Sequence, residues 1–362
     1  MTQLIDLPVS EPTAPAAPVD DALSPVLRAV RILADDAYEI AGRRVQVGRT
    51  SPPAWAGHVP HPETRVEQLR QDLYQHAYVA RIDGALVEPG PDPEAVDEAA
   101  ATAMATALSA ANATRERWDA GWVIRTVMPD GAVAAQKGDR VRLLMPGEFH
   151  MPGARGAMPM PEVPILARVE RESWTMQPGY YFAFGEELGD SEEEHGAVRV
   201  YWNVRSEGAT ALLGAITSSL NRFQIPFRFK CPVHPPAFRR IDAAVLYLAR
   251  RHYEIASELL AGVHSRLADR LDGDVPLFTK RLAHGLALAE DPGGGESFGT
   301  HRCRVLAEAI WEAHREGEQD DALRLVRVRA AFARYGIDPD RPYLGPRSQD
   351  VYGFPGLDGG AR

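Results

Sequence analysis

Four stretches concentrate side chains able to handle an anion: VRVYWNVRSEG at 198–208, IPFRFK at 225–230, PLFTK at 276–280 and GGGESFGTHRCR at 293–304. In a strand, alternation puts Val198, Val200, Trp202 and Val204 on one face. Arg199, Tyr201, Asn203 and Arg205 then share the other, giving two guanidiniums, a phenol and an amide. The stretch at 227–230 repeats the pattern, with Phe227 and Phe229 on one side and Arg228 and Lys230 on the other. If the two strands are neighbours, their polar faces merge into one cationic surface. A lysine set among cations and partly desolvated has a lowered pKa and can act as a base near neutral pH. The plainer alternative is a solvated sheet face with Lys230 as a surface ammonium.

The Gly-rich stretch opens a helix on Thr300, His301 and Arg302, with Thr300 as the expected N-cap. Free backbone N–H groups at such a terminus attract anions. Arg302 can grip two phosphate oxygens and His301 can donate a proton. A Gly-rich turn capped by threonine is the alternative. Lys280 and Arg281, and Arg250, Arg251 and His252, fall at strand ends, where site residues often sit, although each alone reads as a surface charge. No Walker loop, nucleophile elbow, HExxH pattern or dinucleotide fingerprint is present. Histidines 150, 195, 234 and 264 have no metal-type spacing, and the SEEEH run reads as a solvated loop.

The elements that must position these groups read as α+β. The chain has 362 residues, 40 basic and 50 acidic, and a net charge of -10. That length fits one large or two moderate domains. The acidic balance argues against broad nucleic-acid or anionic-membrane binding, so a cationic site must be local. Cys231 and Cys303 lack metal spacing and read as reduced thiols of a cytoplasmic protein, with a single disulfide as the alternative. No signal peptide and no membrane-spanning stretch is expected. Residues 1–22 are expected to be disordered, 23–118 to be helical, 119–350 to form an α+β domain and 351–362 a tail. Within the helical part, Leu27, Val30, Leu33, Ala37, Tyr38 and Ile40 are read as one helix face, followed by helices over 63–81 and 95–118. From Trp118 the texture changes to hairpins and strands, a mixed or antiparallel sheet with flanking helices.

The segments QPGYYFAFG, VRVYWNVRSEGA, IPFRFK, DAAVLYL, VPLFTKRLAHGLALAEDPG and ESFGTHRCR, spread over about 122–344, resemble the HopA-type type III effector family. LRQDLYQHAYVAR also looks like that family's upstream segment. Members occur among pathogen effectors and in biosynthetic clusters for modified peptides such as class V lanthipeptides and thioamitides. There the resemblance implies a lyase that removes phosphate from phosphoserine or phosphothreonine, giving dehydroalanine or dehydrobutyrine. The phosphorylated precursor peptide would come from a separate aminoglycoside-phosphotransferase-like kinase, and no metal or other cofactor is required. A more distant similarity is to phosphothreonine lyases, in which a Lys-x-His strand precedes a helix and a strand bearing the catalytic lysine. Lys230 falls at the base position, while Tyr201 and Asn203 replace the Lys-x-His pair. The resemblance therefore implies Lys230 as base, whereas the acid is read from the residues themselves, as His301 or Tyr201. Arg205, Arg228, Arg302 and Lys280 would hold phosphate, with Arg199 on the same face and Asn203 orienting the amide. Two rivals stand beside this reading: a non-catalytic subunit that binds phosphopeptide or leader, and an effector lyase acting on host phosphoproteins.

Overall fold

The computed structural model describes residues 19–47, 64–82, 97–153, 156–189 and 196–355. Residues 1–18, most of the loop near 47–62, the PGPDPE breaker and the SEEEH run lie outside them. Helix α1 (Val19–Ala29) leads into a three-stranded antiparallel meander, β1 (Val30–Ala34), β2 (Ala37–Ile40) and β3 (Arg43–Gln46). The helix read through Ile40 therefore stops eleven residues earlier than expected. Its apolar residues happen to match helical spacing. However, Val30 and Ile32 are buried around an exposed Arg31, a period of two, and the Asp35–Asp36 pair turns the chain.

Helix α2 (Thr64–Leu73) ends in a π-helical turn, Tyr74–Tyr78. Helix α3 (Glu98–Ala111) starts on Asp97, whose side chain accepts from Ala100 N at 3.0 Å. It ends at Asn112 rather than near 118, because Asn112 turns its amide to Tyr181 Oη and the Arg171 carbonyl. A five-stranded antiparallel sheet follows: β4 (Arg117–Val127), β5 (Val133–Lys137), β6 (Arg140–Leu144), β7 (Phe149–His150) and β8 (Pro164–Val169), in the order β6-β5-β4-β8-β7. The expected hairpin turns at Gly131, with φ 85°. Trp122, Ile124, Val133, Leu144 and Ile165 form a core of this sheet's own.

The site rests on the third sheet. Its strands are β9 (Glu172–Ser173), β10 (Tyr180–Phe184), β11 (Ala197–Trp202), then, after α4 (Ala209–Arg222), β12 (Phe227–Pro232) and β13 (Ala244–Ala249). Helix α5 (Tyr253–Leu267), β14 (Lys280–Ala283), β15 (Leu286–Glu290), α6 (Phe298–Arg315) and α7 (Asp321–Arg334) complete it. The strand order is β14-β15-β11-β13-β12-β10-β9, and each neighbouring pair is antiparallel. One face packs Val200, Trp202, Leu246 and Phe229 with Leu212 and Ile216 of α4 and Leu260 and Val263 of α5. Full burial of each such side chain contributes about 1.5–3 kcal/mol. The same buried cluster runs from Leu23 to Phe354, so the N-terminal helices and the large sheet share one core.

Candidate active site

The register of the large sheet decides which polar side chains meet. Strands β11 and β12 are not neighbours; β13 lies between them. Arg199 pairs with Tyr247, and Tyr247 with Arg228, so these three form a row across one face. The next row runs Tyr201, Val245, Lys230, Phe182. The cationic faces thus merge across an intervening strand, with the Tyr247 ring as the bridge. The Arg228 guanidinium lies 4.4 Å from that ring's centroid and the Arg199 guanidinium 5.4 Å.

Lys230 sits at the centre of this face. Its Nζ lies 4.2 Å from the Tyr180 ring centroid and donates to Gln177 Oε1 at 2.9 Å. Burial pushes its pKa down to about 8; Arg240, Arg199 and Arg228 push the same way and Asp242 opposes them. Arg240 and Asp242 stand just before β13 as a two-pronged ion pair, with both N–O distances 2.9 Å. Arg240 also donates to Tyr74 Oη at 3.1 Å. Arg199 is answered by Asp291, 2.8 Å from its Nε, and Asp291 also accepts from Gly293 N at the head of the glycine run. Gly293, Gly294 and Gly295 all have positive φ, 75°, 67° and 79°, a path that L side chains seldom take. Arg228 is exposed and has no carboxylate partner among the described residues. Its guanidinium is open to meet a ligand.

Tyr201 is only 3% exposed, and its hydroxyl meets that of Tyr78 from the π turn. Burial raises its pKa, with Arg199 and the Tyr78 contact opposing. Helix α6 begins at Phe298 with Ser297 as N-cap, its Oγ 3.2 Å from Thr300 N, so the cap falls three residues before the expected Thr300. Arg302 is 1% exposed and donates to the carbonyls of Pro342 and Leu344 at 2.8 and 2.9 Å. It holds the C-terminal segment and touches His301 Nδ1 at 2.9 Å, so its donors are committed inside the protein. His301 turns its ring edge-on to Tyr335, and burial, then Arg302 and Arg304, lower its pKa to about 4.

Three of the expected residues stand elsewhere. Strand β11 ends at Trp202, and Arg205 joins an exposed cluster with Glu207, Asp272 and the Asp269 carbonyl. Asn203 spends its amide on the Asp274 carbonyl at 3.1 Å. Lys280 pairs with Leu288, on the face opposite Lys230, and binds both oxygens of Asp350 at 2.8 and 2.7 Å. Each was placed by strand alternation or strand-end position, and a local acid or carbonyl claims it instead. Sequence reasoning missed Arg240, Asp242, Tyr247, Gln177 and Tyr78. An R-x-D pair just before an apolar strand is a weak signal. Tyr74 and Tyr78 carry helical spacing that reads as core.

The description HopA1 effector protein family belongs to a family model that matches residues 172–344. The resemblance noted in the sequence holds over that stretch; its upstream part, from about 122, lies outside the match. No curated protein matches. Among solved structures, the effector protein from Pseudomonas syringae pv. tomato strain DC3000 is similar at 18% identity and a TM-score of 0.40, over 77% of this chain and 93% of that one. The effector protein from Pseudomonas syringae pv. syringae strain 61 is similar at 15% identity and a TM-score of 0.39, over 70% and 85%.

Proposed function

We propose that this chain, which matches the HopA1 effector protein family over residues 172–344, is a lyase that eliminates phosphate from phosphoserine or phosphothreonine in a peptide. The observation that carries the reading is Lys230: an amine whose pKa is brought to about 8, on a face shared with Arg199 and Arg228. A β-elimination needs a base for a weakly acidic Cα–H and cations for a departing phosphate. Lys230 in its amine form takes the α-proton. The C–H electron pair becomes the C=C bond, and the Cβ–O bond breaks with its pair on the phosphate oxygen. That oxygen takes a proton, leaving hydrogen phosphate and dehydroalanine or dehydrobutyrine. Arg228, with Arg199 behind Tyr247, holds the phosphate. Tyr201 carries the proton for the leaving oxygen, and before the next turnover Tyr201 regains a proton as the Lys230 ammonium loses one. His301 cannot serve as an imidazolium donor at pH 7 with a pKa of about 4.

In this reading the substrate is a precursor peptide phosphorylated by a separate aminoglycoside-phosphotransferase-like kinase, and the step is cytoplasmic. The neutral His301 and the burial of Tyr201 favour one second reading, a subunit that binds phosphopeptide without reacting it. The family model's description as an effector family favours a lyase acting on a host phosphoprotein. Purified protein mixed with a phosphothreonine peptide, its mass recorded over time, tests all three. Loss of phosphoric acid supports a lyase, and precursor and host-protein substrates then compete for assignment. Tight binding with no mass loss, cognate kinase and precursor present, overturns the lyase.

A further inference from the structure

We propose that Gln177 is a positioning residue for Lys230: its side-chain carbonyl holds one N–H of the amine so that the reactive lone pair points at the substrate. This inference rests on the lyase reading and adds a residue to it. Gln177 lies in the exposed turn 174–179 between β9 and β10, and Tyr180 follows it at the start of β10. Two contacts therefore reach Lys230 from one short stretch: Gln177 Oε1 at 2.9 Å and the Tyr180 ring at 4.2 Å.

A neutral amine has two N–H bonds and one lone pair in a roughly tetrahedral array. An amide oxygen accepts one N–H, and the electron-rich ring face accepts the other. The remaining direction, the lone pair, faces away from both. An amide suits this task because it accepts a hydrogen bond without adding charge. A carboxylate there would hold the proton on the amine, since an opposite charge within hydrogen-bond reach favours the ammonium by about 1–3 pKa units. The charged and titratable groups around Lys230 are otherwise fixed by the fold: Arg199 on β11, Arg228 on β12, Arg240 and Asp242 before β13, Tyr247 on β13 and Tyr180 on β10. Gln177 is the neutral member, on an exposed turn.

The test uses the full-length protein and two readouts. The first is the rate at which acetic anhydride acylates Lys230 across pH, followed by peptide mass mapping, which needs no lyase activity. Gln177→Glu is expected to move the Lys230 labelling curve up by about one pH unit or more. The second is elimination from a phosphothreonine peptide. Gln177→Glu is expected to move the rising limb of kcat/KM upward by the same amount. Gln177→Ala is expected to lower kcat about tenfold or more with KM within about twofold, since binding cations are untouched. An unshifted labelling curve in Gln177→Glu, or wild-type kcat in Gln177→Ala, overturns the proposal. A wild-type protein that eliminates nothing sinks the lyase reading, and the labelling curve still reports the Gln177 contact independently.

Discussion

At the residue scale, the depressed amine of Lys230 couples activity to stability through one proton. Lys230→Met removes the proposed base, and elimination is expected to fall about 10²–10⁴-fold, read as phosphate release at fixed pH. In the wild type, kcat/KM is expected to rise with pH toward a limb near 8, the pKa of the amine in the free protein. Stability moves in a related way. The folded value, about 8, lies below the ordinary 10.5 of the unfolded chain. Below pH 8 both forms are charged, and the fold bears the cost of burying an ammonium. Between 8 and 10.5 the unfolded chain keeps a proton that the folded one has shed, so stability climbs with pH. Lys230→Met is therefore expected to raise Tm at pH 7, with the gain fading by pH 10.5 in a calorimetric pH series. The same substitution is thus expected to lower elimination and to stabilise the protein. Arg228 behaves differently because it is exposed and has no carboxylate partner among the described residues. Arg228→Ala is expected to raise KM for a phosphopeptide about tenfold to a hundredfold, from the loss of charged hydrogen bonds, with Tm unchanged. A variant with wild-type KM would remove Arg228 from phosphate binding.

At the element scale, the site depends on how closely α6 passes over the π turn. A Cβ at Gly299 would stand 2.6 Å from Tyr78 Cζ and 2.7 Å from its Cδ1, so only glycine fits. Gly299→Ala is expected to destabilise by about 1–3 kcal/mol through overpacking, and a thermal melt measures it. It should also shift Tyr78 off Tyr201 and lower kcat. The sequence showed the strands that carry Arg199, Arg228 and Lys230, because alternation of apolar and cationic residues has a short, local signature. It did not show that β13 separates them, since strand order depends on long-range pairing. Arg205, Asn203 and Lys280 were read from alternation and strand ends, and no local rule announces that Asp272, the Asp274 carbonyl or Asp350 will claim them. The α1–β1 boundary misled because Leu27, Val30, Leu33, Ala37 and Ile40 keep helical spacing, while the period of two is carried by other pairs, Val30 with Ile32 and Tyr38 with Ile40.

At the scale of the whole molecule, the segment matching the family, 172–344, is not a self-sufficient body. Its helix α6 buries Trp311 against Tyr38, whose ring stands edge-on at 6.3 Å, and the Trp311 indole donates to the Arg65 carbonyl at 3.1 Å. Arg324 of α7 donates to the Leu27 and Val30 carbonyls at 2.6 and 2.7 Å. Residues 172–344 expressed alone are expected to show no cooperative melt and to bind a hydrophobic dye, whereas the full chain melts in a cooperative transition. A sharp melt for the fragment would refute this.

The C-terminal segment is tied in as firmly, and the ties run backwards along the chain. Glu290, buried on β15, accepts from Gly345 N, Ser348 Oγ and Tyr352 Oη at 2.6, 2.6 and 2.5 Å, the last lying 62 positions further on. A carboxylate and a guanidinium, Arg302, are thus laid down long before residues 342–352 exist to answer them. A nascent chain halted on the ribosome before that point would lack these ties, leaving Glu290 to its ion pair with Arg250 Nε at 3.3 Å and Arg302 without its two carbonyls. Closing the Glu290 and Arg302 ties needs residues 342–352, so slow decoding of this stretch of message is expected to prolong exposure to chaperones and to aggregation.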